Sequence, residues 1–177
     1  MAHGFSATRH MSADNYAEAF RGAGFAVLLY DHAGYGDSCG EPRRQVNPGI
    51  QARGYRDTVS YGRNLEGVDA SRVAIWADSF SGGVALAGID ERVAALVVQV
   101  PALGRGLPPA DPDGSLYRAF RETILSGAVE PSEGEVQGPM PVVSDDQLRR
   151  PSALEPLTAY RWFIEYGGAS ARGGRTT

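Results

Sequence analysis

One twelve-residue stretch, Arg72–Gly83 (RVAIWADSFSGG), limits what this chain can fold into more than any other. Val73 to Ala77 are mostly apolar and β-prone, and they run without a spacer into Asp78, Ser79 and Phe80. Gly82, Gly83 and the small, apolar segment 84–87 follow. That order predicts a strand, a sharp turn and a helix: a nucleophile elbow, which holds a serine hydroxyl exposed at the top of a parallel sheet. The usual elbow has glycine two positions before and two after the serine, where the turn is too tight for large side chains. Here those positions are Ala77 and Ser81, small but not glycine. Gly82 and Gly83 let the helix begin close to the strand. Two other readings stand beside this one. Ser79 could simply cap a helix starting near Ser81, and Ser81 is a rival nucleophile with equally small flanks. Ser79 is preferred because it lies where the strand ends.

The rest of the composition narrows the setting. A chain of 177 residues suits one domain with a real core, and 42% apolar with 21% charged residues is the balance of a soluble globular protein. The net charge of −4 and scattered arginines give no electrostatic case for nucleic acid. Cys39 is the single cysteine, which excludes an internal disulfide and fits a reducing compartment. No apolar run approaches a membrane span and no signal-peptide core opens the chain, so no membrane partner and a cytoplasmic location are expected. No metal-ligand set or cofactor motif is found. The loop 31–38 has cradle-like glycines but neither a lysine nor a helix start for a nucleotide.

In chain order, Ser12 to Arg21 reads as a helix with Ser12 as N-cap and an apolar face of Tyr16, Ala17 and Phe20, stopped by Gly22 and Gly24. Phe25 to Tyr30 is continuously apolar, as for a strand covered on both faces. Residues 39–50 read as loop. Gln51 to Leu65 reads as a helix with Tyr55, Thr58, Val59 and Tyr61 near one face. Arg92 to Val100 gives another buried strand, ended by Pro101. The alternation indicates an α/β fold with a mainly parallel sheet and flanking helices, whose ligands sit beyond the carboxyl ends of the strands. Residues 102–166 are rich in proline and glycine, with helices near 115–125 and 156–166, and read as a cap or lid. Tyr160, Trp162, Phe163 and Tyr166 there could line an acyl pocket or simply pack on the sheet. The division expected is therefore a partial core at 1–101, a cap at 102–166 and a flexible tail at 167–177.

Taken together, several segments resemble the α/β-hydrolase superfamily, in particular its bacterial dienelactone-hydrolase-like or Xaa-Pro-dipeptidyl-peptidase-like branch. They are His3-Gly4-Phe5, the loop from Asp31 to Ser38, residues 41–43 and 51–57, Trp76–Gly83 and residues 99–101, with a looser likeness through 141–144 and 159–168. Departures are Ala33 in place of an arginine, Ala77 in place of the elbow glycine and a shortened helix after the elbow. The resemblance implies a serine hydrolase acting on a small ester or amide: Ser79 as nucleophile, the backbone amides of Phe5 and Phe80 as the oxyanion hole, and an acyl-serine intermediate released by water. His3, Gly4, Asp78, Ser81, Gly82 and Gly83 support the two motifs.

The same resemblance implies a triad in the order serine, acid, histidine, and here the chain departs from it. Its histidines are His3, His10 and His32, all before Ser79, so neither a triad histidine nor a triad acid is assigned. A serine hydroxyl without a base is a poor nucleophile near pH 7. Met1 and Ala2 would be the last positions of a strand leading into His3-Gly4, so truncation at both ends is expected. Unpaired strand edges would then favour self-association. Two functions follow: a hydrolase inactive as this chain stands, or a non-catalytic hydrolase-like fragment acting as a binding module.

Overall fold

The computed structural model describes residues 1–87, 90–103, 110–126 and 138–167. In chain order the elements are α1 (Ala13–Gly22), α2 (Pro48–Arg63), a short 3-10 turn at Ala70–Arg72, β1 (Ala74–Asp78), α3 (Ser79–Ala87), β2 (Ala95–Gln99), α4 (Ser115–Ser126) and α5 (Leu157–Gly167). The chain gathers into two compact units: Met1–Val46 with Pro131–Thr177, and Asn47–Glu130.

The second unit carries the sheet. Helix α2 begins three residues before the expected start, because Asn47 caps it by accepting the Ile50 N–H at 3.1 Å and Pro48 occupies the first turn, where no N–H is needed. Its buried stripe is Gln51, Ala52, Tyr55 and Val59, whereas Tyr61 is exposed. Strand β1 buries Ile75, Trp76 and Ala77 in succession, which requires cover on both faces. It pairs in parallel with β2, Ala74 opposite Ala95 through Asp78 opposite Gln99, and α3 makes the crossover that a parallel pair requires.

The buried strand expected over 92–100 is shorter and wetter than its composition implied. Strand β2 covers 95–99, and Val97 is 53% exposed. Arg92 instead belongs to a knot below the strand. Its guanidinium donates to both carboxylate oxygens of buried Asp90, to Ser60 Oγ at 2.9 Å and to the Arg56 carbonyl at 3.2 Å. Arg63 donates to the carbonyls of Arg92 and Ala70. The knot ties the end of α2 to the approach to β2.

In the first unit the expected strand at Phe25–Tyr30 does not form. Ala2 and Tyr30 make an isolated parallel bridge, the Met1 amino group donates to the Leu28 carbonyl at 2.7 Å, and the Tyr30 N–H donates to the Met1 carbonyl at 3.2 Å. Two such bonds hold the end of the segment, while Phe25, 62% exposed, lies outside any ladder. Helix α1 starts where expected, but Ser12 sits at φ +74° with no side-chain capping bond, so the helix start has no serine cap. Its expected apolar face is only partly covered: Ala17 and Phe20 are half-buried and Tyr16 is exposed, while the buried residue is Ala13, outside that face. Phe20 meets Phe25 edge to face at 6.2 Å. Helix α5 has no buried residue, and its Trp162 packs against Phe163 and Tyr166, ring centres 5.0 and 5.5 Å apart.

Candidate active site

The strand, sharp turn and helix expected from the sequence are present as backbone geometry. Strand β1 ends at Asp78 and α3 starts at the next residue, not near Ser81. Ser79 takes up the change of direction alone, at φ +51°, a left-handed conformation that a residue with a Cβ adopts at a cost of about 1–3 kcal/mol and keeps only where its surroundings enforce it. The surroundings here are specific. The Ala102 N–H donates to the Ser79 carbonyl at 2.8 Å, so the chain leaving β2 is bonded back to the turn. Gly82 lies against Pro101 and Val98, where an added Cβ would sit 3.2 Å from the Pro101 Cβ. An added Cβ at Gly83 would run into the Ala102 carbonyl oxygen. These two glycines permit the close crossing that holds the turn.

The positions flanking Ser79 divide by burial. Ala77 is fully buried, so its methyl fits where the usual elbow has glycine. Ser81 is also fully buried, and Tyr55 of α2 is buried as well. Ser79 and Phe80 are half-buried. Of the two serines, Ser79 is therefore the one that solvent reaches. Burial pushes the Asp78 carboxyl above its ordinary value, opposed by a hydrogen bond from the Ser79 backbone N–H. Burial likewise raises the Tyr55 phenol, partly offset by Ser81 and reinforced by the charge of Asp78.

The first unit holds the other motif residues. His3 is buried with both ring nitrogens on the backbone. Its Nδ1 faces the Gly4 carbonyl at 3.0 Å and its Nε2 accepts the His32 N–H at 3.2 Å. A carbonyl oxygen only accepts, so Nδ1 carries the proton and the ring is neutral. Burial lowers the His3 pKa, partly countered by the Gly4 bond and by Asp31. His32 is pushed well below the ordinary histidine value by burial, then by His3 and by the chain's amino group. The two rings meet edge to face at 5.0 Å. Gly4 and Phe5 are half-buried, and Ser6 follows at φ +53°. His10 is exposed beside Asp14.

Asp31 was not singled out by sequence reasoning, yet the loop 31–38 is wrapped around it. Its carboxylate is buried and accepts the Arg9 N–H at 2.6 Å, the Arg9 guanidinium at 3.2 Å and the Asp37 N–H at 3.2 Å. Ser38 Oγ donates to the Asp31 carbonyl at 2.6 Å. Gly36, at φ +45°, passes so close that a Cβ there would overlap the carboxylate. An acid at the end of an apolar run, followed by two glycines, was the available signal. Among the described residues no three His, Cys, Asp or Glu side chains gather as metal ligands would, and no helix is long and apolar enough to cross a membrane.

No protein-family model matches the chain. Among curated proteins, it is 40% identical over 103 residues to the quorum-quenching protein AidA of Acinetobacter baumannii (strain MDR-ZJ06), covering 57% of this chain and 34% of that protein. It is 30% identical over 156 residues to a thiohydrolase of Eupenicillium brefeldianum, covering 85% of this chain and 48% of the relative. The crystal structure of the alpha/beta hydrolase GrgF from Penicillium sp. sh18 superposes with a TM-score of 0.65 at 27% identity, over 95% of this chain and 57% of that one. The fold is of the α/β-hydrolase type. The chain spans between a third and a half of the length of these curated relatives.

Proposed function

We propose that this chain carries the nucleophile of a serine hydrolase, with Ser79 Oγ attacking the carbonyl of a small ester, amide or thioester. The observation that carries the reading is the left-handed Ser79 between β1 and α3, a half-buried residue while Ser81 is hidden. A strained serine at that place gains nothing for packing; it directs a hydroxyl off the end of a strand. The start of α3 adds the Phe80 N–H as a donor toward an oxyanion, and a helix N-terminus favours that developing charge. The thioester is included because one relative is named a thiohydrolase. In the reaction, Oγ bonds to the acyl carbon as its proton passes to a base. The leaving thiolate, alkoxide or amine departs protonated, and water then releases the acid.

The base is where the chain is weakest. No histidine follows Ser79, and His3 and His32 are buried, with His3 committed to backbone groups. Turnover by these 177 residues alone is therefore expected to be slow. The second reading, a hydrolase-like binding module, rests on that absence.

A fluorophosphonate, which reacts with activated serines, tests the proposal. Intact mass of the purified chain should show one adduct that is lost in Ser79→Ala. Release of thiol from an N-acetylcysteamine thioester should be slow and Ser79-dependent. A soluble, folded chain that takes no adduct would overturn the hydrolase reading and favour the binding module.

A further inference from the structure

In the first unit one buried nitrogen atom stands between two partners. The Nε2 of His3 accepts the His32 N–H at 3.2 Å and lies 3.7 Å from Asp31 Oδ1. The first is a hydrogen bond to a neutral ring, and the second distance is too long for one. Asp31 has room for a further donor. Among the described residues it takes the Arg9 N–H on Oδ1, and the Arg9 guanidinium and the Asp37 N–H on Oδ2. A carboxylate offers about four acceptor sites, so the open one is on Oδ1, the oxygen nearest His3. Protonation turns Nε2 from acceptor into donor. The His32 N–H would then face another N–H, and Asp31 Oδ1 would be the better partner. A charge-assisted bond closes at about 2.8 Å and is roughly twice as strong as a neutral one, so an advance of the ring by about 1 Å suffices. Nδ1 keeps the Gly4 carbonyl in both states and serves as the pivot.

We propose that His3 is a pH-dependent latch between the segment 3–5 and the loop 31–38. Neutral, it holds the His32 amide; protonated, it releases that amide and takes the Asp31 carboxylate. The latch does not depend on the reading of Ser79. The groups that face it are Asp31 and the rings of His32 and Tyr35, centred 5.0 and 5.5 Å away. Behind Asp31, the Arg9 guanidinium bridges to Asp37 at 2.6 Å. Burial places the exchange below pH 6.5, against the Gly4 bond and Asp31, which raise it. His32 is pushed down by burial, by His3 and by the chain's amino group, and the carboxylate stands beside His3, so His3 takes the proton first.

The test follows the 177-residue chain, His3→Gln, His10→Gln and Asp31→Asn by NMR from about pH 8 to about pH 5, across the ordinary histidine range. It reads the ring nitrogens of His3 and the hydrogen-exchange protection of the amide at position 32. The parent should show a bare Nε2 at high pH. Through the titration of His3, protection at position 32 should fall about fivefold to tenfold, the range of one lost hydrogen bond, while other amides of the first unit keep theirs. A glutamine oxygen accepts without titrating, so His3→Gln should abolish the step. His10 is exposed, and His10→Gln should behave as the parent. Asp31→Asn should move the His3 midpoint to lower pH. A protonated Nε2 at high pH, unchanged protection at position 32, a step retained in His3→Gln, or loss of the whole unit at the same midpoint would each overturn the proposal. Should Asp31→Asn fail to fold, His3→Gln decides.

Discussion

Ser79 holds a backbone conformation that its own side chain disfavours, and this has a measurable sign. Ser79→Gly removes the Cβ that makes φ +51° unfavourable. The variant should be more stable than the parent by about 1 kcal/mol, seen as a higher urea midpoint at unchanged slope, although it loses the hydroxyl. A lower midpoint would mean that the turn is not strained. Gly83→Ala should act in the opposite sense, because the new methyl meets the Ala102 carbonyl oxygen. A loss of about 1–3 kcal/mol is expected from such overpacking. At this scale the sequence was informative where chemistry and backbone coincide, as at Ser79. It said little about Asp31, whose importance lies in amides contributed by Arg9 and Asp37, and a partner's backbone N–H leaves no mark on composition.

Among the elements, legibility followed local signals. The run from Val73 to Ala77 became β1 within one residue, since it is buried on both faces and its apolar character is used throughout. Helix α2 starts earlier than its apolar pattern predicts, because Asn47 and Pro48 supply the cap and the first turn without adding to that pattern. Phe25–Tyr30 and the segment 92–100 show the opposite error. An apolar run predicts burial only when a neighbouring strand completes the ladder, and propensity cannot say whether that neighbour is present. The knot at Arg92 gives this scale its own prediction. Arg92→Ala would leave the buried Asp90 carboxylate without its guanidinium, whose hydrogen bonds hold that acid below its ordinary pKa. A loss of about 1–3 kcal/mol is expected by chemical denaturation. Asp90→Asn should lose less, because a neutral amide needs no counter-charge.

Across the whole molecule, acid sensitivity divides unevenly. His3, His32 and the Met1 amine all lie in the first unit, and burial lowers the pKa of each, the amine to about 5. A base whose folded pKa is lowered adds stability above its unfolded value, and that stability is lost as pH falls through the interval below it. The unfolded values are 8.0 for the amine and 6.5 for the histidines, so the first unit should weaken steadily from about pH 8 downward and faster below about 6.5. The two tryptophans report separately, Trp162 from the first unit and Trp76 from β1 in the second. In single-tryptophan variants, the Trp162 midpoint in urea should fall between pH 8 and pH 5 more than the Trp76 midpoint. Equal falls would show that the buried histidines do not govern acid stability.

The bond from Ala102 back to Ser79 also bears on how this sequence can vary. Val100, just upstream, is 74% exposed and sits at φ +40°. Surface positions ordinarily accept almost any residue, whereas this one has to keep a left-handed backbone so that the chain can reach the turn. In a library of all single substitutions, position 100 should accept glycine and asparagine and reject proline, the profile of a hinge pin on a residue that solvent accessibility would class as free to drift.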